Sequence, residues 1–221
     1  MSGRCAVLFD VDGTLVDSNY FHTIAWFRAF QMAGRAVEMT AIHRAIGMGS
    51  EEMVEYLASG VDPQVDDWRQ EQFRSFRGEI RPTPGACDLV RAVATEGALA
   101  VYATSGKPED IEHMRSVIGA DPWVHDVVNS SEVDSAKPEP DIFRTALYCA
   151  GVPADRAIVV GDSVWDVVAA RRCGVECVGL MSGGISGGEL IEAGAIAVYR
   201  TPQHLLDELR TSPVGALLVT S

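Results

Sequence analysis

The stretch Leu8-Phe9-Asp10-Val11-Asp12-Gly13-Thr14-Leu15 decides the fold of this chain. It completes an apolar run, Cys5-Ala6-Val7-Leu8-Phe9, that is typical of a buried parallel strand. The strand ends in two carboxylates spaced two residues apart, and a glycine then allows a sharp turn. Ligands of open α/β sheets bind beyond the carboxyl ends of the strands, so Asp10 and Asp12 lie where chemistry is expected. Two acids this close do not easily both ionise, so one is expected near its protonated form unless a cation binds beside them.

Composition and charge limit the class of protein. With 221 residues, 47% of them hydrophobic, the chain can bury a large core, and disorder is not expected. A net charge of −13 argues against nucleic acid and anionic membranes as partners, although a bound divalent cation would still allow an anionic substrate. The five cysteines form no CxxC pair, and neither a signal peptide nor a membrane-spanning run is evident. We therefore predict a cytoplasmic protein with reduced thiols, either a monomer or a homodimer.

The secondary-structure pattern changes once the first strand has ended. Residues 15–82 show helical patterns without strand-like alternation, which indicates an inserted helical domain, here called the cap. Asp17-Ser18 is expected to N-cap its first helix. From residue 83 onward, strands alternate with helices, which predicts a parallel sheet covered on both faces. The predicted domains are a core of residues 1–14 and 83–221 and a cap of residues 15–82. Cap helices are expected at residues 19–33, 40–46, 50–59 and 64–79, with a break at residues 60–63, and a flexible loop is expected around Gly183, Gly184, Gly187 and Gly188.

Three further segments carry polar residues at predicted strand ends or helix starts. Thr104-Ser105-Gly106 follows strand 98–103, where a hydroxyl and backbone N–H groups can form a phosphate cradle. Pro138 is expected to hold Lys137 extended and to start the next helix. A lysine at a helix N-terminus is electrostatically unfavourable, which favours an anionic site nearby. Gly161-Asp162-Ser163-Val164-Trp165-Asp166 follows strand 157–160 and places two carboxylates on one side of a new helix.

In order, these segments resemble the four motifs of the haloacid dehalogenase superfamily. Asp10 to Thr14 is similar to motif I, DxDGT, and Thr104 to the hydroxyl residue of motif II. Lys137 is similar to the motif III lysine, and residues 161–166 to motif IV, GDSxxD. The resemblance covers essentially the whole chain and implies an α/β fold, with a Rossmann-like three-layer parallel-sheet core and an inserted C1-type helical cap.

The resemblance also implies an activity and a nucleophile. It points to the phosphoglycolate phosphatase and β-phosphoglucomutase-like subfamily, and to a phosphatase that hydrolyses phosphoglycolate or a sugar-phosphate-like monoester through an aspartyl-phosphate. Asp10 is expected to be the nucleophile and Asp12 the general acid and base. Mg²⁺ is expected on Asp10, the Asp12 carbonyl and Asp162, because oxygen-only ligands favour it over zinc. Counting the charges at such a site favours a protonated Asp12.

The remaining motif residues are expected to bind the transferring phosphoryl group. By the same resemblance, Thr104, the Ser105 N–H and Lys137 stabilise its equatorial oxygens. Asp166 is expected to orient Lys137 or a metal-bound water. The cap is expected to close over the site and to select the leaving group.

Four alternatives to this prediction differ in the residues that they require. A haloacid dehalogenase does not need Asp12, and a phosphonatase needs a cap lysine, which residues 15–82 lack. A β-phosphoglucomutase shares the cap, Asp10 and Asp12 but usually has an acidic residue in place of Gly161, which favours hydrolysis here. A non-catalytic phospho-ligand binder is disfavoured by four intact motifs. The sequence leaves the roles of four residues open between the substrate cleft and an ordinary structural position: His22, His43, Arg44 and Lys107.

Overall fold

Six short strands form one parallel sheet in a computed structural model that describes residues 4–58, 60 and 64–219. The strands are β1 (Ala6–Phe9), β2 (Leu99–Ala103), β3 (Val124–Val128), β4 (Ala157–Gly161), β5 (Glu176–Leu180) and β6 (Ala197–Tyr199). Their spatial order is β3-β2-β1-β4-β5-β6, and every neighbouring pair is parallel. β1 therefore lies in the middle, which explains why it is entirely apolar.

Helices cover both faces of the sheet. Within the described residues they are α1 (Asn19–Met32), α2 (Met39–Ala45), α3 (Ser50–Ala58), α4 (Gln64–Arg74), α5 (Ala86–Thr95), α6 (Pro108–Ile118), α7 (Asp141–Ala150), α8 (Val164–Arg172), α9 (Gly187–Ala193), α10 (Pro202–Asp207) and α11 (Pro213–Val219). Val7 and Phe9 of β1 belong to a hydrophobic cluster with residues of α5, α6 and α10. Ala6 and Leu8 point the other way, into a cluster with residues of α7 and α8. The predicted α/β class with a three-layer, Rossmann-like core is confirmed.

The four helices of the cap have a hydrophobic cluster of their own. Its large members are Trp26, Phe30, Ile42, Met53 and Val65. The chain enters and leaves the cap at adjoining points, because the Asp17 N–H donates to the Arg81 carbonyl at 2.9 Å and the Thr83 N–H to the Leu15 carbonyl at 3.0 Å. The domain boundaries at residues 14/15 and 82/83 stay a prediction.

Several element boundaries differ from the sequence prediction. The helix expected over residues 64–79 ends at Arg74. The expected flexible glycine loop is wrong in part, because Gly187 and Gly188 begin α9. The Ser186 Oγ accepts the Glu189 N–H at 3.3 Å, and this capping box outweighs the low helix propensity of glycine. Residues 1–3, 59, 61–63 and 220–221 lie outside the described residues, so the predicted break at residues 60–63 is described only at Gly60.

Two further features concern the cysteines and the lengths of the helices. All five cysteines are free thiols, and burial raises the pKa of the Cys177 thiol well above its ordinary value. Among the described residues, every helix is too short or too polar to cross a membrane.

Candidate active site

The loops after β1, β2 and β4 meet at one edge of the sheet. Phe9, the last residue of β1, is in register with Tyr102 on one side and Val160 on the other. Asp10 continues this arrangement, since its N–H donates to the Val160 carbonyl at 2.9 Å. Because the three strands are parallel and in register, the residues that follow them lie close together.

Lys137 is fully buried between two carboxylates. Its Nζ donates to Asp10 Oδ1 at 2.5 Å and to the Ala103 carbonyl at 3.1 Å, and it lies 2.8 Å from Asp166 Oδ1. The Phe143 ring lies on another side, with its centre 5.1 Å from Nζ. Burial alone would lower the pKa of Lys137, but Asp10 and Asp166 raise it overall, so the ammonium group stays charged.

The backbone around Lys137 differs from the sequence prediction. The Lys137–Pro138 peptide bond is cis, and α7 begins only at Asp141, with Pro140 at its N-cap. The expectation that Pro138 starts the helix is therefore wrong. A turn closed by the Glu139 N–H and the Ala136 carbonyl, 2.9 Å apart, separates the lysine from the helix. Lys137 itself therefore lies before the helix and not in its first turn.

Asp162 is held by hydrogen bonds to both of its oxygens. Thr14 Oγ1 donates to Oδ1 at 2.8 Å, and Asn19 Nδ2 donates to Oδ2 at 2.8 Å. Asn19 also donates to the Gly183 carbonyl at 3.2 Å. The sequence did not predict these contacts of Thr14 and Asn19. Thr14 belongs to the quoted first motif, which was the available signal, whereas nothing in the sequence marks Asn19.

Asp12 accepts two hydrogen bonds at the same oxygen. Ser18 Oγ lies 2.6 Å and His22 Nε2 2.9 Å from Asp12 Oδ1, and the imidazole stacks on the Phe73 ring. Burial alone would raise the pKa of Asp12, but the His22 charge and both hydrogen bonds lower it. Two expectations therefore fail. Ser18 lies at the N-cap of α1 without capping it, and Asp12 favours its ionised form rather than the protonated one.

Three buried carboxylates form a cluster that fits a metal ion. One oxygen each of Asp10, Asp162 and Asp166 lie within 4.8 Å of one another. Burial raises the pKa of Asp10, although Lys137 opposes this; burial and the neighbouring carboxylates raise that of Asp162. A hard cation would relieve this crowding of negative charge, and the oxygen donors suit Mg²⁺. The predicted ligands Asp10 and Asp162 belong to this cluster, while the Asp12 carbonyl stays a prediction.

Thr104 and Ser105 lie in a tight turn after β2. The Gly106 N–H donates to Thr104 Oγ1 at 3.0 Å, and the Thr104 N–H donates to the Val128 carbonyl at 3.0 Å. Ser105 Oγ donates to the carbonyl of Gly47 in the cap at 3.2 Å. The Ser105 side chain thus joins core to cap, which leaves only its backbone for the predicted phosphate contact.

A cavity of about 60 Å³ lies between these residues and the cap. Asp10, Asp12 and Thr104 line it from the core. The cap residues around it include Trp26, Ile46, Gly47, Met48, Met53 and Arg69. The loop at residues 46–48 therefore reaches the site.

All four residues with open roles join the cap to the core. His43 Nε2 lies 2.9 Å from the Gly183 carbonyl, and Lys107 Nζ lies 2.5 Å from Asp66 Oδ2. Arg44 is exposed and forms an ion pair with Glu189 at 2.7 Å, away from the residues that line the cavity. The fourth residue, His22, contacts Asp12 as described above. These contacts hold the cap against the core over the site.

Comparisons with known proteins agree with this geometry. Residues 6–174 match the family model described as haloacid dehalogenase-like hydrolase. A phosphoglycolate phosphatase of Rhodospirillum rubrum is 34% identical over 209 residues, which are 88% of this chain and 86% of that protein. A phosphorylated carbohydrates phosphatase of Thermotoga maritima is 25% identical over 213 residues, 93% of this chain and 98% of that one. The crystal structure of a hydrolase from Pseudomonas syringae is similar with a TM-score of 0.90 and 34% identity, covering 94% of this chain and 99% of that chain.

The fold and the buried carboxylate–lysine site define a class of hydrolase, and the family match spans most of the chain. The chain belongs to the haloacid dehalogenase-like hydrolase family, so the resemblance of its motifs is confirmed. It is an enzyme of the phosphoric monoester hydrolase type.

Proposed function

We propose that this enzyme is a Mg²⁺-dependent phosphatase that hydrolyses a small phosphate monoester through an aspartyl-phosphate at Asp10. The contact between Lys137 Nζ and Asp10 Oδ1 at 2.5 Å carries the proposal. It holds a buried carboxylate beside a cavity, with a second carboxylate, Asp12, two residues away. Phosphoglycolate and sugar phosphates are the candidate substrates, because curated relatives are named for phosphoglycolate and phosphorylated carbohydrates.

In the first step, a carboxylate oxygen of Asp10 forms a bond to phosphorus and the bond from phosphorus to the ester oxygen breaks. Asp12 gives a proton to the leaving alcohol. Since Asp12 favours its ionised form, it first takes up that proton, and a protonated His22 imidazole 2.9 Å away can supply it. Lys137, the Thr104 hydroxyl and the Ser105 N–H stabilise the equatorial phosphoryl oxygens.

In the second step, water attacks the phosphorus of the aspartyl-phosphate. Asp12, now ionised, accepts a proton from that water, and the bond between Asp10 and phosphorus breaks to release phosphate. Asp166, 2.8 Å from Lys137 Nζ, keeps the lysine in place through both steps. The cap excludes bulk water and so strengthens the electrostatic interactions in the site.

We expect Asp10, Asp162 and the Asp12 main-chain carbonyl to hold Mg²⁺, with Asp166 close to them. When bound, the cation neutralises part of the charge that develops on the phosphoryl group. The crowding of Asp10, Asp162 and Asp166 within 4.8 Å supports this assignment.

The surroundings of Gly161 favour hydrolysis over a mutase reaction. A Cβ added at Gly161 would lie 2.6 Å from both Cβ and Cγ of Asp166. An acidic side chain, which mutases usually have at this position, would therefore displace Asp166 from Lys137. The β-phosphoglucomutase alternative loses support for this reason.

Phosphate release from a panel of monoesters tests the proposed function. We expect release to require Mg²⁺, to stop with EDTA and to return when excess Mg²⁺ is added. Isomerisation of β-glucose 1-phosphate without phosphate release would instead establish the mutase alternative. Failure to turn over any monoester, p-nitrophenyl phosphate included, would leave only the phospho-ligand binder.

A Gly183→Ala variant tests the support of the metal site. The added Cβ would collide with the Asp162 carboxylate, 2.5 Å from its Cγ and 2.7 Å from Asn19 Nδ2. Because displaced outer contacts weaken metal ligands, we expect about a 10- to 100-fold loss of Mg²⁺ affinity, measured by calorimetry and by the Mg²⁺ dependence of activity. Gly188→Ala is the control, since a Cβ there meets no atom within 4 Å. Equal Mg²⁺ affinities in both variants would contradict the assignment of Asp162.

A His22→Gln variant tests the proton supply to Asp12. Glutamine can still donate a hydrogen bond to Asp12, but it cannot supply a proton at neutral pH. We expect kcat to fall at least about tenfold, since positioned proton transfer contributes about 100-fold or more. His43→Gln, which alters a cap contact outside the cavity, is expected to change kcat much less. An unchanged kcat in His22→Gln would remove the imidazole from the mechanism.

Location and assembly stay predictions. We expect a cytoplasmic enzyme without nucleic-acid or membrane partners, in line with its net charge of −13 and free thiols. Size-exclusion chromatography with light scattering would decide between monomer and homodimer.

A further inference from the structure

A buried arginine from the cap lines the cavity. Arg69 in α4 is 5% exposed and lines the same cavity as Asp10 and Asp12. Its guanidinium carbon lies 5.4 Å from the centre of the Trp26 ring. A charged group this deeply buried requires partners. Its hydrogen bonds therefore indicate whether any of its N–H donors is still available to a ligand.

Only some of the N–H groups of Arg69 donate hydrogen bonds to protein acceptors. Its Nε and Nη2 donate to Asp66 Oδ1 at 3.2 and 2.8 Å, and Nη2 lies 3.5 Å from Ser50 Oγ. Its Nη1 lies 3.8 Å from Asp110 Oδ2, which is too long for a hydrogen bond. Within the described part of the chain, the two Nη1 hydrogens therefore lack a close acceptor while the residue borders the cavity.

A second cation lies on the core side of the same cavity. Lys107 occupies the N-cap position of α6, and its Nζ pairs with Asp66 Oδ2 at 2.5 Å. Burial alone would raise the pKa of Asp66, but Arg69 and Lys107 lower it well below its ordinary value, so this carboxylate is ionised. An ammonium group has three donors, and a single carboxylate oxygen engages one of them.

The charges of the ion pairs around Arg69 do not balance. Asp66 is shared by Arg69 and Lys107, while Asp110 is paired with Arg77 at 2.8 Å. The cluster joined by these contacts has three cations and two carboxylates: Arg69, Arg77, Lys107, Asp66 and Asp110. One positive charge is left over. One carboxylate on a ligand would neutralise it, whereas a neutral polyol would not.

The size of the cavity limits what that ligand is. A water molecule requires about 10–15 Å³ in the same measure, so about 60 Å³ accommodates roughly five water-sized groups. Five such groups are far fewer than the non-hydrogen atoms of a hexose phosphate, so the cavity favours a small leaving group over a hexose.

We propose that Arg69, assisted by Lys107, binds a carboxylate of the leaving group, so that the preferred substrates are phosphate esters of small hydroxy acids. This inference rests on the proposed phosphatase function and names the substrate class of the same site. Arg69 then determines specificity, whereas the residues that act on phosphorus remain those of the core.

A matched pair of esters tests the inference on the full-length enzyme with Mg²⁺. 2-Phosphoglycolate carries a carboxylate, and 2-hydroxyethyl phosphate is of similar size but has a neutral hydroxyl there. We expect kcat/KM to favour 2-phosphoglycolate by about 10- to 100-fold, the range of a charge-assisted pair. In Arg69→Gln we expect this preference to shrink to about twofold, mainly through a change in KM. In Arg69→Lys we expect the preference to be partly restored.

The ratio of the two esters is independent of the fraction of active protein, so a partly misfolded variant still reports on the inference. Arg74→Gln is the control, because Arg74 is an exposed arginine on the same helix. If Arg69→Gln does not fold, Lys107→Gln is expected to reduce the same ratio. Equal hydrolysis of both esters by the wild type, or an unchanged ratio in the variants, would overturn this inference alone. If neither of these esters nor any other monoester is hydrolysed, the phosphatase function is overturned as well.

Discussion

Asp10→Asn is expected to lower kcat at least about a thousandfold, because the amide cannot form the bond to phosphorus. Asparagine keeps the size of aspartate and can still accept the hydrogen bond from Lys137. The lysine also keeps Asp166 at 2.8 Å as its ionised partner. We therefore expect the fold to survive, and thermal unfolding to stay within a few degrees of the wild type. Phosphate release at saturating substrate and Mg²⁺ is the measurement.

Asp17→Asn serves as the control for Asp10→Asn. Asp17 is an exposed carboxylate seven positions further along the chain. The substitution therefore removes the same charge as Asp10→Asn, but outside the site. We expect nearly wild-type kcat in this variant. Activity in Asp10→Asn above about one hundredth of the wild type would contradict the assignment of the nucleophile.

Lys137→Met is expected to cause the largest loss of stability. Methionine has a similar length but no charge, so it leaves the buried carboxylates of Asp10 and Asp166 without their cation. Breaking a buried ion pair from one side typically costs about 3–5 kcal/mol of unfolding free energy. Activity is also expected to fall at least about a hundredfold, since a charge that stabilises the phosphoryl oxygens is lost.

The pH dependence of the stability of Lys137→Met distinguishes the loss of the lysine charge from poor packing of the methionine. Without the lysine, the folded-state pKa of Asp10 rises further above its value of about 4 in the unfolded chain. Between those two values the folded state binds more protons than the unfolded state, so stability increases as the pH falls. In the wild type the pKa of Asp10 is itself raised, to about 7, so the two proteins gain stability alike below pH 7 and differ above it. We therefore expect the difference in unfolding free energy between the variant and the wild type, measured with denaturant in EDTA, to narrow from pH 9 to pH 7.

The other lysine of the chain provides the control. Lys107 has a side chain that is 36% exposed and pairs with Asp66, so Lys107→Met is expected to cost about 1 kcal/mol or less. If Lys137→Met is as stable as Lys107→Met at pH 7.5, or its stability does not respond to pH, the buried lysine does not neutralise these carboxylates.

The sequence predicts the sheet and the motif residues well because both depend on local patterns. An uninterrupted apolar run such as β1 indicates a buried parallel strand, and residues after such strands meet at one edge. Asp10, Asp162 and Thr104 follow their strands directly. Their proximity could thus be predicted without knowing how the helices pack.

Contacts that depend on packing of the cap could not be predicted in this way. Asn19 reaches Asp162 across 143 positions, and only the placement of α1 over the sheet edge brings them together. The same placement turns the Ser18 hydroxyl toward Asp12 instead of toward its own helix, so the local capping rule fails there. The charge state of Asp12 could not be predicted for the same reason, because its partner His22 also comes from α1.

Trapping the covalent intermediate tests the central claim most directly. The full-length enzyme with Mg²⁺ is mixed with a hydrolysed ester, quenched in acid during turnover, reduced with borohydride and digested for mass spectrometry. The account predicts that Asp10 is converted to homoserine, and that this conversion depends on substrate and is absent from Asp10→Asn. Conversion at Asp12 or Asp162, or rapid turnover with no modified carboxylate in the digest, would contradict it.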